Sequence, residues 1–179
     1  MSMSATDSNN PTAGAHGRRY VTRVTSLDSL VGSHPGALRT IYESGSPADP
    51  AELGEAPRGR ILAIEPLSDV FMAVRPILKA LATDLFPWKG KTFDHGGNSG
   101  YNRVFGRGAF RFRAEVGPSE LDGRPTLVLS YDDPAFKNPW PVRAVKDELR
   151  SLGGGITIGP ALVRFRDRRH LVLWFGLEA

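Results

Sequence analysis

At Trp88 the apolar residues change their spacing from helical to alternating, and that change limits the folds open to the rest of the chain. The clearest case is "AFRFRAEVG", in which Phe110, Phe112, Ala114 and Val116 alternate with Arg111, Arg113 and Glu115. Such a strand belongs in a sheet with one apolar and one wet face. "GKTFDH" and "GYNRVFG" precede it as strands. "LDGRP" then supplies an Asp-Gly turn, and "TLVLSY" follows as a more buried strand through Leu127, Val128 and Leu129. The last quarter, "GGGITIGPALVRFRDRRHLVLWFGLE", reads as two long strands joined by a charged turn near Asp167, the final one apolar on both faces. Upstream, "RILAIE" is a short buried strand between Gly59 and Pro66. Links this short make neighbouring strands antiparallel. Seven to eight antiparallel strands must manage their edges, and curling into a barrel or half-barrel does so economically.

Helical spacing occurs elsewhere. "SLDSLVGSHPGALRTIYESG" carries Leu27, Leu30, Val31, Leu38, Ile41 and Tyr42, broken at His34-Pro35-Gly36, and predicts two short helices with Gly45 closing the second. "SPADPAELGEAPRG" is a loop with room for one helical turn. Residues 67–85 place Leu67, Val70, Phe71, Val74, Leu78, Leu81 and Leu85 on one stripe, an inserted helix that Pro76 kinks. In "LSYDDPAFKNPWPVR" and the residues after it, Asn138 suits an N-cap and Pro139 a first helical position. Trp140, Ala144, Val145, Leu149 and Leu152 would then share one face, with Trp140 plugging a barrel end. The fold class is therefore α+β: an antiparallel barrel or half-barrel of seven to eight strands with N-terminal, inserted and end-capping helices. Residues 1–20 read as a disordered tail and 21–179 as one domain.

Composition narrows the chemistry. The 179 residues include no cysteine, which excludes disulfides, zinc ribbons and thiol catalysis. The N-terminal residues lack the apolar core of a signal peptide, and no apolar run approaches a membrane span, so the expected compartment is the cytoplasm. The net charge is +4. Its arginines gather in two groups, Arg103, Arg107, Arg111 and Arg113, then Arg164, Arg166, Arg168 and Arg169, which on a shared face would make a basic outer wall for an anionic partner. Glu115 and the scarcity of interleaved aromatic residues make nucleic acid a poor match.

No phosphate-binding loop or Gly-x-Ser-x-Gly elbow is present, and "GGGITIG" precedes a strand rather than a helix. His16, His34, His95 and His170 are scattered without a second ligand at metal spacing, so no metal site is expected. Asp94 and His95 in "FDHGG", with Asp132, are the candidate acid/base residues. Asp132 and Asp133 diverge at a strand end, and Asp133 before Pro134 suits a turn. Inside a barrel, Phe105, Phe110, Phe112, Val116, Leu127, Leu129, Phe165 and Leu173 would line either a filled core or a pocket. Polar candidates to orient a ligand there are Tyr101, Asn102, Arg103 and Tyr131, and Trp140 is a further ligand-contact candidate.

Two stretches, "WKGKTFD" and "LVLSYDDPAFKNPWPVRAVKDELR", resemble uncharacterised small bacterial proteins of the GXWXG type. The matching residues are Trp88, Gly90, Lys91 and Phe93, then Leu129, Tyr131, Asp132, Asp147 and Arg150; Phe86 replaces the first glycine of the naming motif. The resemblance lies within residues 88–150, about a third of the chain, and implies a lipocalin- or calycin-like barrel of unassigned function. The leading expectation is non-catalytic binding of a small apolar or amphipathic, lipid-like molecule in a barrel pocket, with no cofactor specified. The alternatives are a small isomerase or hydrolase using that pocket, and an interaction module using the arginine face.

Overall fold

The computed structural model describes residues 24–65 and 88–179. The tail at 1–20 and the helix read at 67–85 lie outside the described residues. A two-residue strand, β1 (Ser46–Pro47), precedes eight longer ones: β2 (Arg58–Ile64), β3 (Trp88–Phe93), β4 (Ser99–Val104), β5 (Arg107–Pro118), β6 (Pro125–Ser130), β7 (Val145–Gly153), β8 (Ile156–Phe165) and β9 (Arg168–Glu178). From β2 to β9 each strand pairs antiparallel with the next, and β9 returns to β2, so the eight close into an up-and-down barrel. Closure leaves no long unpaired edge. β1 takes up the side of β7 beyond its pairing with β6, with Ser46 opposite Ser151 and Pro47 opposite Arg150.

Two cores result. Phe93, Phe112, Ala114, Leu127, Leu129, Leu149, Leu173, Phe175 and Leu177 fill the barrel interior. The second core lies outside the wall. There a 3-10 turn (Leu27–Leu30) and helix α1 (Pro35–Ser44) bring Leu27, Leu30, Leu38 and Tyr42 against Leu62, Ile156, Ile158 and Trp174. This is why β9 is apolar on both faces: Leu173, Phe175 and Leu177 point inward while Trp174 lies beneath the helical layer. Helix α1 begins where His34 Nδ1 accepts from the Gly36 amide at 3.1 Å and Pro35 takes the first position. The expected loop after it holds one helical turn, α2 (Pro50–Leu53), capped by Asp49.

The expected helix over 138–152 is instead a short 3-10 turn (Val142–Ala144) followed by β7. "VKDELRSL" is made of good helix formers, but both of its alternating faces find partners in the barrel wall. Leu149 and Asp147 face the lumen core, while Glu148 and Arg150 are fully buried on the α1 side. Two covered faces outweigh a local propensity of a few tenths of a kcal/mol per residue, about 0.7 at most. Gly153 to Gly155 end no helix; Gly154 and Gly155, both with positive φ, form the tight β7–β8 turn. Asn138 caps nothing and donates to the carbonyls of Tyr131 and Arg111. Trp140 is 65 % exposed and plugs no barrel end.

The outer wall carries a buried polar cluster that ties α1 to the sheet. The Tyr42 hydroxyl donates to Glu148 Oε2 at 2.8 Å, and Ser119 Oγ donates to the same oxygen at 2.6 Å. Arg150 donates through both terminal nitrogens to Asp122, each at 2.7 Å, with its guanidinium 4.3 Å from the centre of the Tyr42 ring. That bidentate contact holds the Asp122 carboxyl down from 3.8 to about 2, while burial pushes the Tyr42 phenol up. Because the folded-state value of Asp122 is depressed, its contribution is fully present above the unfolded value and is lost as pH falls through the folded one. Urea titrations of the protein from about pH 5 down to about pH 2 should show a loss of ~2 kcal/mol through this group. At neutral pH Asp122→Ala strands Arg150 and should cost about 3–5 kcal/mol in the same assay.

Candidate functional site: a buried lysine in the barrel lumen

β3 begins with an irregularity. Trp88 pairs with Val104 but Gly90 with Arg103, so one extra residue is accommodated between them. Gly90 has φ 122°, and a Cβ there would strike the Pro57 carbonyl, so the bulge requires glycine. Trp88 therefore packs against the lumen cluster along with Phe93, while Lys91, on the face of Phe93, points inward among the aromatic rings. Lys91 is 1 % exposed.

Its ammonium meets three acceptors from three strands' worth of chain. Nζ donates to Asn102 Oδ1 on β4 at 2.9 Å, to the Tyr131 hydroxyl just past β6 at 2.6 Å, and to Asp147 Oδ2 on β7 at 2.8 Å. Tyr131 donates in turn to Asp147 Oδ2 at 2.7 Å. Asn102 Nδ2 reaches the Tyr131 hydroxyl at 3.1 Å, and Trp88 Nε1 reaches Asn102 Oδ1 at 3.0 Å. The rings of Phe112 and Phe175 stand 5.2 Å from Nζ, close enough for their faces to attract the cation. Burial pulls the lysine below its ordinary value, against the opposing charge of Asp147. Burial first, and Asp147 second, push the Tyr131 phenol well up, so Tyr131 keeps its proton and donates it. The Lys91–Asp147 pair is neutral as a unit. It is also expensive to desolvate, which a barrel needing only a filled core would avoid.

An open cleft of about 630 Å³ lies over one end of this interior. Phe93, Ala114 and Leu127 form its apolar side together with Val116, which is 63 % exposed, and Asp49, Glu55, Asp94, His95 and Asn98 contribute polar groups. On β3 the next inward residue below Phe93 is Lys91, and on β5 the next below Ala114 is Phe112, each roughly 6.6 Å further along the strand. Phe93, which lines the cleft, meets Phe112 edge to face at 5.5 Å between centres, and Nζ of Lys91 lies 5.2 Å from the Phe112 ring.

The sequence candidates divide accordingly. Tyr131, Asn102 and Phe112 converge on the lumen. Tyr101 lies against Arg111 on the outer face, its ring centre 5.3 Å from the guanidinium, and Arg103 donates to the carbonyls of Pro57 and Lys89. Phe110 leaves the inward series because it is the extra residue of a β4–β5 bulge, with φ 54°. Phe105 sits in the β4–β5 turn at 79 % exposure, so neither it nor Phe110 lines the interior. Asp94 and His95 stand at the cleft, where Asp94 accepts from Ser99 Oγ and His95 is 3.5 Å from Glu55. Asp132 is exposed after β6; Asp133 caps the next turn and pairs with Arg113 at 2.6 Å. Sequence reasoning missed Lys91 and Asp147 as a pair. The available signal was one charged residue on an otherwise apolar strand face, Lys91 beside Phe93 and Asp147 between Val145 and Leu149.

Among the described residues no cluster of three His, Asp or Glu side chains could hold a metal ion, and no helix is long and apolar enough to cross a membrane. The sequence matches no family model and none of the curated proteins. A solved structure described as a protein from Thermomonospora curvata superimposes with a TM-score of 0.51, covering 85% of this chain and 91% of that one at 11% identity. At that identity the likeness shows the fold alone.

Replacing Lys91 by Met leaves Asp147 buried without its cation and should cost about 3–5 kcal/mol in urea denaturation. Adding Asp147→Asn removes the stranded charge, so the double variant should recover more than half of that loss. Equal stabilities for single and double variants would mean that the pair is not coupled in the folded protein.

Proposed function

We propose that the barrel binds a small, uncharged, apolar or amphipathic molecule of lipid-like character, without catalysis, and that the polar group of the ligand is directed toward the Lys91 network. The carrying observation is the cleft of about 630 Å³ set one layer of side chains above a fully buried lysine. That volume lies within the range of small-molecule sites, which are mostly apolar with a few placed polar groups. Charge balance supports an uncharged ligand. Lys91 and Asp147 already neutralise each other at 2.8 Å, so a carboxylate headgroup would add an unpaired buried charge. A hydroxyl or carbonyl would only exchange one hydrogen bond for another.

The same reading brings the GXWXG-type resemblance to bear, since Trp88, Gly90, Lys91, Phe93, Tyr131 and Asp147, six of its matching residues, build or border this site. Membership of that group is part of the proposal. The reading as a small isomerase or hydrolase has one observation behind it, the position of Asp94 and His95 at the cleft. The arginine-face reading has less. Arg113 and Arg169 are paired with carboxylates, Arg111 with Asp94 at 3.5 Å, and Arg103 is occupied by two carbonyls.

The test is binding of decanol and decanoate followed by native mass spectrometry and tryptophan fluorescence. Decanol should bind at one per chain and decanoate at least about tenfold more weakly, the discrimination expected when a site rejects a buried charge. Ala114→Phe, which fills the cleft, should weaken decanol at least about tenfold while folding is retained. Equal binding of alcohol and acid, or no effect of Ala114→Phe, would remove the site from this place.

A further inference from the structure

The lumen has more than a polar group for recognition; it has an amine with an acid beside it. We infer that Lys91 captures apolar aldehydes or ketones as a reversible imine, which narrows the proposed uncharged ligand to carbonyl compounds and rests on that reading.

Three features of the geometry support it. First, the amine is enclosed by aromatic rings, with Phe112, Phe175, Tyr131 and Trp88 centred 5.2 to 5.9 Å from Nζ, so water that would hydrolyse an imine is largely excluded. Second, Asp147 Oδ2 lies 2.8 Å from Nζ and 2.7 Å from the Tyr131 hydroxyl, so a proton can pass between amine, carboxylate and phenol without a change in net charge. Moving the ammonium proton to Asp147 frees the amine as a nucleophile, and burial disfavours the charged form of the lysine. Third, Phe93 lines the cleft and meets Phe112 at 5.5 Å between centres, and Nζ lies 5.2 Å from the Phe112 ring, so the amine stands about one side-chain layer from the cleft.

The reaction balances with no further reagent. The lone pair of the Lys91 amine attacks the carbonyl carbon, and one nitrogen proton moves to the carbonyl oxygen to give a carbinolamine. Asp147, which holds the proton taken from the ammonium and has Tyr131 as its hydrogen-bond partner, gives that proton to the hydroxyl group and, as a carboxylate again, takes the remaining nitrogen proton. The C–O bond breaks, water leaves, and a C=N bond joins Lys91 to the ligand. Hydrolysis reverses the sequence and releases the carbonyl compound unchanged.

The test uses decanal with sodium cyanoborohydride, which reduces an imine to a stable secondary amine, on the full chain. The protein has five lysines, Lys79, Lys89, Lys91, Lys137 and Lys146, and an N-terminal amine, so peptide mass spectrometry can locate every adduct. The expected result is an adduct on Lys91 in at least about tenfold excess over Lys89, Lys137 and Lys146, as proximity in a bound complex produces. Phe93→Ala should speed the labelling of Lys91. Lys91→Met/Asp147→Asn should abolish that adduct, and the urea-denaturation midpoint of the variant reports that it is folded. Adducts spread over the other amines, with Lys91 unlabelled and decanol bound, would overturn the imine and leave the binding site standing. If neither decanal nor decanol binds, both the imine and the reading beneath it fail.

Discussion

The pairing of β2 with β9 is the constraint on which the rest of this molecule depends. Those strands are separated by most of the chain, yet their register runs from Arg58 opposite Glu178 to Ile64 opposite Leu173. Without that ladder the meander from β2 to β9 would be an open, strongly curved sheet with two long edges. With it, eight strands enclose an interior from which bulk water is excluded. Each polar group inside must then find its partner among the others.

That exclusion accounts for the character of the interior. Lys91, Asp147, Tyr131 and Asn102 come from four positions on the ring, and closure alone brings them within 3.1 Å of one another in a connected network. In an open sheet, water would separate them and their mutual attraction would be small. In the barrel the pair is held in an aromatic enclosure, where either charge by itself would be costly. The same closure creates the outer core: the wall presents Leu62, Ile156, Ile158 and Trp174 to the helices as one continuous surface. Tyr42, Glu148, Arg150 and Asp122 then fasten α1 to that wall through hydrogen bonds protected from solvent.

The two polar clusters lie on opposite sides of one strand. Along β7, Asp147 faces the lumen while Glu148 and Arg150 face the helices, so three charged residues within four positions serve two separate networks. This explains why "VKDELR" has the local pattern of a helix. Its charges look like the solvated side of an amphipathic helix, and its leucines fall at suitable spacings. Nothing local reveals that both faces of the strand will be covered. Phe110 shows the same limit in a smaller way: strict alternation assigns it inward, and the bulge opposite Asn102 turns it out.

What the sequence determined by itself was the strand count within narrow bounds, the antiparallel order, the two N-terminal helical turns, and the tight turns at Asp122-Gly123 and near Asp167. These follow from alternation and turn chemistry, which act over a few residues and survive in any tertiary setting. It also placed Tyr131, Asn102 and Phe112 among the candidates for the interior. Tertiary structure decided the rest. It set the closure of the ring, the conversion of residues 145–153 to a strand, and the position of Trp140 on the surface. It also brought Lys91 to Asp147 across 56 residues of chain. Contacts of that range depend on strand register and bulges, and a single residue of slip would send every inward side chain to the outside. The strands could be read from the sequence because their signal is local; the buried lysine pair could not, because only the closed barrel brings its members together.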